Sequence, residues 1–457
     1  VVSAVQANGA LVVSLTGTTA GRWSVDGGTT WHESGVTLFL LAGEYTITYK
    51  PVAGYAAPSS TFIAVLVDQT TTVGVTYTTS DLSADPADYG MTWINETEPS
   101  IIDPNKVIYV TPTGAGSKDG TSWANAIDGM ANAMAAATSG DALYLQEGTY
   151  ASPATTYSGG HSMAIYGGFT VDGGTWATRN GWTHKTIIDA SSTPTVPFVS
   201  SHYITIDGLS FEGFSAGVLQ GPIVYPSAKN SIFDTCSGWM AEGYNVDNCL
   251  FVGCVTGSTG ANVARMAGAP AATITKSVFT HCAITSDAVG KFNDNILYPS
   301  VVDGNVEGCA FFDCTVSVTG DGNMAFIAFG DAADCVFTGC SVTSPRRSYI
   351  TAGAASCTFT NCLAFCPNTG MDESVAVITH GSTISSCKFT NCQSSARVAF
   401  IVWGRPTNSI FINCSSARGG ALVFSSAGAA FCTFIRCEGK DLLADGYSAS
   451  NVVVFDS

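Results

Sequence analysis

The feature that most constrains this chain is a short motif that keeps returning. Phe-x-x-Cys occurs at Phe233/Cys236, Phe251/Cys254, Phe279/Cys282, Phe311/Cys314, Phe337/Cys340, Phe359/Cys362, Phe389/Cys392, Phe411/Cys414 and Phe434/Cys437. Two residues before each Phe stands a small residue: Cys249, Cys309, Cys335, Cys357, Cys387 and Cys432, or Ser231, Ser277 and Ser409. One rung earlier, Leu209-Ser210-Phe211-Glu212-Gly213-Phe214 fits the same frame. An internal repeat of this kind decides the architecture before any single residue does.

The spacing carries geometry. Residues i and i+2 of a strand share a face, so Cys387 and Phe389 both point inward. The second Cys follows Phe by three, the wrong parity for a straight strand. A bend must separate them, at the Gly or Asn of Thr338-Gly339 or Thr390-Asn391. Each repeat adds a second apolar strand, such as Ala325-Phe326-Ile327, Tyr349-Ile350, Val375 to Ile378, Val398 to Ile401 and Ala421 to Phe424. The shortest rung is 22 residues, as from Phe337 to Phe359. Three short strands and three bends in that length make one coil of a parallel β-helix, not a helical solenoid repeat or a propeller blade. The hand expected for parallel crossovers is right. The fold class is therefore all-β, a right-handed parallel β-helix with Phe stacked on Phe and Cys on Cys about 4.8 Å apart.

All 16 Cys lie between Cys236 and Cys437, and 15 belong to the motif. A disulfide ladder and a file of free thiols both fit. Ser at three first positions favours free thiols, packed as small apolar residues. Cys366 falls outside the frame and is expected in a loop. No CxxC pair or His-bearing cluster points to a metal, and the six His are scattered.

Composition narrows the partners. The chain has 457 residues, 12% charged and 46% hydrophobic, with a net charge of −17. Such a surface repels nucleic acid and anionic membrane. No run of 18 apolar residues predicts a membrane span. The chain starts at Val1 without initiator Met or leader, so a processed form or fragment is expected, and an extracellular or cell-surface location rests on composition and architecture.

Residues 107–457 are assigned to the β-helix. Its entry carries strands at Val107 to Val110 and Ala142 to Leu145. Between them Thr121-Ser122 can cap a helix with apolar residues at Trp123, Ala126, Ile127, Met130, Met134 and Ala137, ended by Gly140. This N-terminal capping helix is expected to close the first coil. The run Asp119-Gly120-Thr121-Ser122-Trp123, Gly140-Asp141, Gly148-Thr149-Tyr150 and Ile165-Tyr166-Gly167-Gly168-Phe169 resembles the entry segment of the bacterial pectate-lyase-like superfamily. Arg418-Gly419-Gly420-Ala421-Leu422 after Phe411-Ile412-Asn413-Cys414 resembles the repeats of chlamydial polymorphic outer-membrane proteins, where the pattern is Phe-x-x-Asn; Cys departs from it. The likeness covers about 350 residues and implies fold rather than activity.

Residues 1–79 alternate apolar and polar at Leu11 to Val13, Arg22 to Val25, Tyr45 to Tyr49 and Thr72 to Tyr77, with turns at Gly27-Gly28 and Ala42-Gly43. A small antiparallel β-sandwich is expected, similar to a bacterial surface module that serves as a spacer. Residues 80–106 read as an acidic linker. Val452 to Phe455 end the chain midway through a coil, where more chain or another subunit is expected to cover the edge.

The enzymes that share the resembled fold bring motifs absent here: no Asn-Thr-Asp with a following Asp-Asp, no Arg-x-Lys, no Arg-x-Pro-x-x-Arg, no Gly-Tyr-x-Asp-Thr. Thr379-His380-Gly381 matches one piece of the polygalacturonase signature without its carboxylates. A glycosidase needs two carboxyls, and a lyase needs a base, usually with Ca²⁺ or Arg on the uronate. Coils longer than 22 residues gain their extra length after the second Cys. These insertions are expected to stack into one rim bearing Asp287, Lys291, Phe292, Asp294, Asp321, Asp372 and Glu373, beside Arg265, Arg346, Arg347 and Arg397. The favoured reading is a non-catalytic structural or adhesion protein that contacts itself, end to end or laterally, or an extracellular glycan, with no cofactor. A polysaccharide lyase, a hydrolase or a glycan binder using the 285–373 rim is the alternative.

Overall fold

The computed structural model describes residues 8–26, 30–50, 55–56, 58, 61–79, 84–98, 106–156, 162–196, 198, 204–215, 218, 227–237, 241–242, 245–257, 262–265, 273–286, 300–318, 324–367, 375–381, 384–396, 398–417, 423–424, 429–438, 449–450 and 453–455. One repeat shows how the coil is made. Asp334 takes φ 53°, the strand Val336–Thr338 follows, Gly339 takes φ 66°, and the strand Ser341–Thr343 comes next. The same left-handed pair recurs at Asn248 and Gly253, Ser356 and Asn361, Ser386 and Asn391, and Asn408 and Asn413. Each Cys thus follows a left-handed corner, a conformation that Gly and Asn adopt at least cost. The bend expected between Phe and Cys is there, at Gly339 and Asn391. The corner amides are not orphaned: Gly339 N–H donates to Thr360 O and Asn391 N–H to Ile412 O, both at 2.9 Å.

Stacked coils make a parallel β-helix. One wall is a 13-stranded sheet from Gly148–Ala151 to Val453–Phe455, and another has seven strands from Val255–Gly257 to Ser415–Ala417. Successive coils pair in parallel register, Phe311 on Phe337 and Phe337 on Phe359. The remaining wall bends at glycine. Gly330 has φ 158°, and a Cβ there would sit 2.3 Å from Gly304 O. Inside, rings from Phe233 to Phe434 stack 4.5 to 5.0 Å apart and within 8° of parallel.

The thiols are free, and all but Cys437 are buried. Cys366 corrects the expectation of a loop position. It follows the strand Leu363–Phe365 directly, fully buried, with Sγ 2.9 Å from Val375 O.

The capping helix is shorter than its apolar periodicity implies. Trp123–Asn125 is a single 3-10 turn, Ile127–Asp128 is extended, and only Gly129–Ala136 is α-helical. Ile127 and Asp128 pair with Val110 and Thr111 instead, and Gly129 at φ 71° breaks any continuous helix. Met130, Ala133 and Met134 still face the core. Of the expected strand Ala421 to Phe424, only Val423–Phe424 lies within the described residues.

The N-terminal segment forms two small three-stranded sheets around Leu11, Val13, Trp23, Ile47, Tyr49 and Tyr77. Pairings are antiparallel except that Asn8–Thr16 runs parallel to Thr70–Thr76.

Residues 84–98, within the stretch whose composition reads as a linker, lie against the outside of the β-helix. Tyr89 stacks on Phe312 with ring centroids 6.3 Å apart. The chain turns at Gly90 and runs back along the corner. There Asn248 donates to Thr92 O and Asn230 to Ile94 O, each at 3.0 Å. Trp176 Nε1 reaches Glu96 O at 2.6 Å, and Tyr144 donates to Glu98 at 2.9 Å. Backbone carbonyls satisfied by side chains on successive coils make this strap part of the fold.

Candidate functional site

Most of the expected rim falls outside the described residues: Asp287, Lys291, Phe292, Asp294, Asp321, Asp372, Glu373 and Arg397. Arg265 ends the strand Asn262–Arg265, and its backbone pairs with Asp303. Arg346 is half-buried where the chain enters the strand Arg347–Ala355, and its carbonyl accepts from Val375 N–H at 2.7 Å.

Four strands of one wall carry a feature not singled out from sequence. Met324–Ala333, Arg347–Ala355, Val375–His380 and Val398–Trp403 are neighbours in one wall. Alternation sends Ala325, Ile327, Ile350, Ile378 and Ile401 into the core. The opposite parity puts Phe326, Tyr349, Val377 and Phe400 in register on the outer face, where they form a separate apolar cluster.

Phe326 and Tyr349 stack at 4.9 Å, and Phe329 meets Phe326 edge-on at 4.8 Å. His380 lies 5.7 Å from Tyr349 and 5.0 Å from Trp403, edge-on to both, and Trp403 lies 5.9 Å from Phe400. His380 is exposed, while Trp403 and Phe329 are half-buried. The patch therefore has a buried aromatic floor and a wet edge.

Partial desolvation of the ring between Tyr349 and Trp403, then the nearby Arg347 charge, holds the His380 imidazole below its usual value and favours its neutral form. Burial pushes the Tyr349 hydroxyl up to about 12. Neutral rings with polar tips and one flanking guanidinium suit the C–H face of a sugar and its hydroxyls. Asp303 sits in register with Phe329 one coil earlier. The sequence signal was a large apolar residue at the third position of each of these strands, aromatic in three of the four, which reads equally as core.

Two other groupings were missed. Asp189, Glu212 and Asp234 form an outer column on three successive coils. Burial first, then the neighbouring carboxylates, raises Glu212 above the usual range. Thr280 Oγ1 lies 2.8 Å from His281 Nδ1, and His281 Nε2 lies 3.6 Å from Asp313. That order of hydroxyl, imidazole and carboxylate is sealed, because Thr280 is buried. Among the described residues no group of three or more His, Cys, Asp or Glu side chains could hold a metal ion.

No protein-family model matches the chain, and no curated protein does. Solved structures do. A family PL6 polysaccharide lyase from Pseudopedobacter saltans aligns over 76% of this chain and 92% of its own, at 9% identity and a TM-score of 0.36. The catalytic domain of a family GH87 α-1,3-glucanase aligns over 93% and 76%, at 10% identity and 0.35. The pectate lyase Pel9A aligns over 78% and 79%, at 14% identity and 0.25. Likeness at this level carries nothing about activity.

Proposed function

We propose that the chain is a non-catalytic, adhesion-type β-helix, extracellular or on the cell surface, that holds a glycan against the aromatic wall of Phe326, Phe329, Tyr349, His380 and Trp403. In this reading residues 1–79 are a spacer, and the long loops from 285 to 373 flank the bound chain. The observation that carries it is His380, exposed at the wet edge and edge-on to both Tyr349 and Trp403. Phe329, His380 and Trp403 are the accessible rings of this wall, with Phe326 and Tyr349 buried beneath them, and a rigid solenoid holds them without further ordering cost.

The test is a glycan array with the full chain, followed by Trp403→Ala and His380→Ala. Each variant is expected to weaken binding tenfold or more while lowering Tm by only a few degrees. Absence of glycan binding, or binding unchanged in both variants, overturns the site. Release of reducing ends or unsaturated products from any bound glycan overturns the non-catalytic reading.

A further inference from the structure

The corner cysteines are the chemistry that glycan binding leaves unused. From Cys236 to Cys437 the corner after each Phe strand is Cys in all nine motifs, whereas the other small position accepts Ser in three. A corner that required only a small residue would show the same tolerance. The thiols point inward and rest on backbone carbonyls, as Cys340 Sγ does on Phe311 O at 3.5 Å and Thr338 O at 3.6 Å. Successive corner cysteines lie one above the other from Cys236 to Cys437: each Cys carbonyl accepts from the residue that follows the Cys of the next coil, as Cys314 O does from Ser341 N–H and Cys340 O from Leu363 N–H, both at 2.9 Å. The result is one continuous sulfur file.

The rise between coils sets what fits. Rings three residues before these cysteines repeat every 4.5 to 5.0 Å. A thiolate bond to a d10 ion of zinc type is about 2.3 Å, so a linear S–metal–S unit spans about 4.6 Å. We propose that neighbouring thiols of this file bind a two-coordinate, thiophilic d10 dication of the mercuric class, the ion replacing the two thiol protons. Two S–H bonds break, two S–metal bonds form and two protons leave, with no change of oxidation state. Dication plus two thiolates is neutral, so no net charge is buried. A cuprous ion between the same two sulfurs would leave a buried negative charge, and zinc would lack two of its four ligands. Burial raises the Cys254, Cys314 and Cys362 thiols well above their usual value, so at these sulfurs the proton is displaced by the metal and not lost beforehand.

The test uses the full chain, with mercuric chloride added in excess monothiol to strip single-sulfur adducts. It is added to the folded protein, and in parallel during refolding, so that slow entry into the core cannot mimic absence of a site. The expected result is uptake saturating at no more than one ion per two file thiols, two protons released per ion, and unchanged β-sheet circular dichroism. Cys314→Ser divides the file into runs of three and five thiols and should lose one bound ion, while Cys366→Ser, outside the file, should lose none. Uptake only with loss of the β-sheet signal in both protocols overturns the proposal. So does stoichiometry unmoved by Cys314→Ser, or equal retention of zinc.

Discussion

Arg179 and Asp207 form an ion pair inside the wall, with Nη2 2.7 Å from Oδ1 and both side chains buried. Arg179 Nε also donates to Gly167 O at 2.6 Å, and the guanidinium lies 4.8 Å from the Trp176 ring and 5.0 Å from that of Trp93 in the strap. Asp207 further accepts from Asn230, which accepts from Asn248. The pair therefore ties the strap to three coils. Removing one charge strands the other, so Asp207→Ala is expected to cost about 3–5 kcal/mol. The double change Arg179→Met with Asp207→Leu should recover most of that loss. Chemical denaturation gives the energies, and limited proteolysis within 84–98 reports release of the strap. A single variant as stable as the parent sinks this account.

Phe337 tests the ring file. It is fully buried, 4.8 Å from Phe311 and 4.9 Å from Phe359. Phe337→Ala is expected to cost about 3–5 kcal/mol, and Phe337→Leu clearly less. Phe434 has Phe411 on one side but pairs with Val454 on the other, so the same truncation there should cost less. Equal losses at both positions in urea melts would show that stacking along the file contributes nothing.

How far the sequence was legible follows from which signals were local. The parity break between Phe389 and Cys392 forces a bend, and Asn391 takes φ 51°. That inference needed only the two-residue period of a strand. The helix after Ser122 failed because its apolar spacing satisfies two structures, and pairing of Ile127 with Val110 is non-local. Composition reads residues 84–98 as a linker, whereas the carbonyls of Thr92 and Ile94 are bound by Asn248 and Asn230, more than 130 positions away. The aromatic wall was hidden because Phe326 and Ile327 look alike in a list of apolar residues. Only the register of neighbouring coils shows that one faces out.

Asn391 tests the corner. Its Nδ2 donates to Asn361 Oδ1 at 3.0 Å, and its own Oδ1 accepts from Asn413 at 3.1 Å. Gly relieves the left-handed backbone but loses the ladder bonds; Ala loses the bonds and keeps the strain. The expected order of stability is Asn, then Gly, then Ala, with Asn391→Ala costing about 1–2 kcal/mol. Thermal melts that place Ala above Gly would contradict a left-handed requirement at this site.

Glu212 gives the pH dependence. Burial first, then Asp234 and Asp189 in the same column, raises its carboxyl above the ordinary 4.5, and burial likewise raises Asp234 above 3.8. A carboxyl with a raised folded-state value binds its proton more tightly folded than unfolded. Below the unfolded values both states are protonated and the column costs nothing. As pH rises from there through the folded values, the folded state must give up protons it holds more tightly, and stability falls. At neutral pH the penalty is fully present. Glu212→Gln is therefore expected to raise Tm at about pH 7 and to change it little at about pH 4, where the parent carboxyl is already largely neutral. Lys185→Met should do the reverse at neutral pH, because Lys185 offsets the charge of both Glu212 and Asp234. Melts of the three proteins at the two pH values decide it: a Glu212→Gln shift of equal size at both would assign the effect to packing and not to charge.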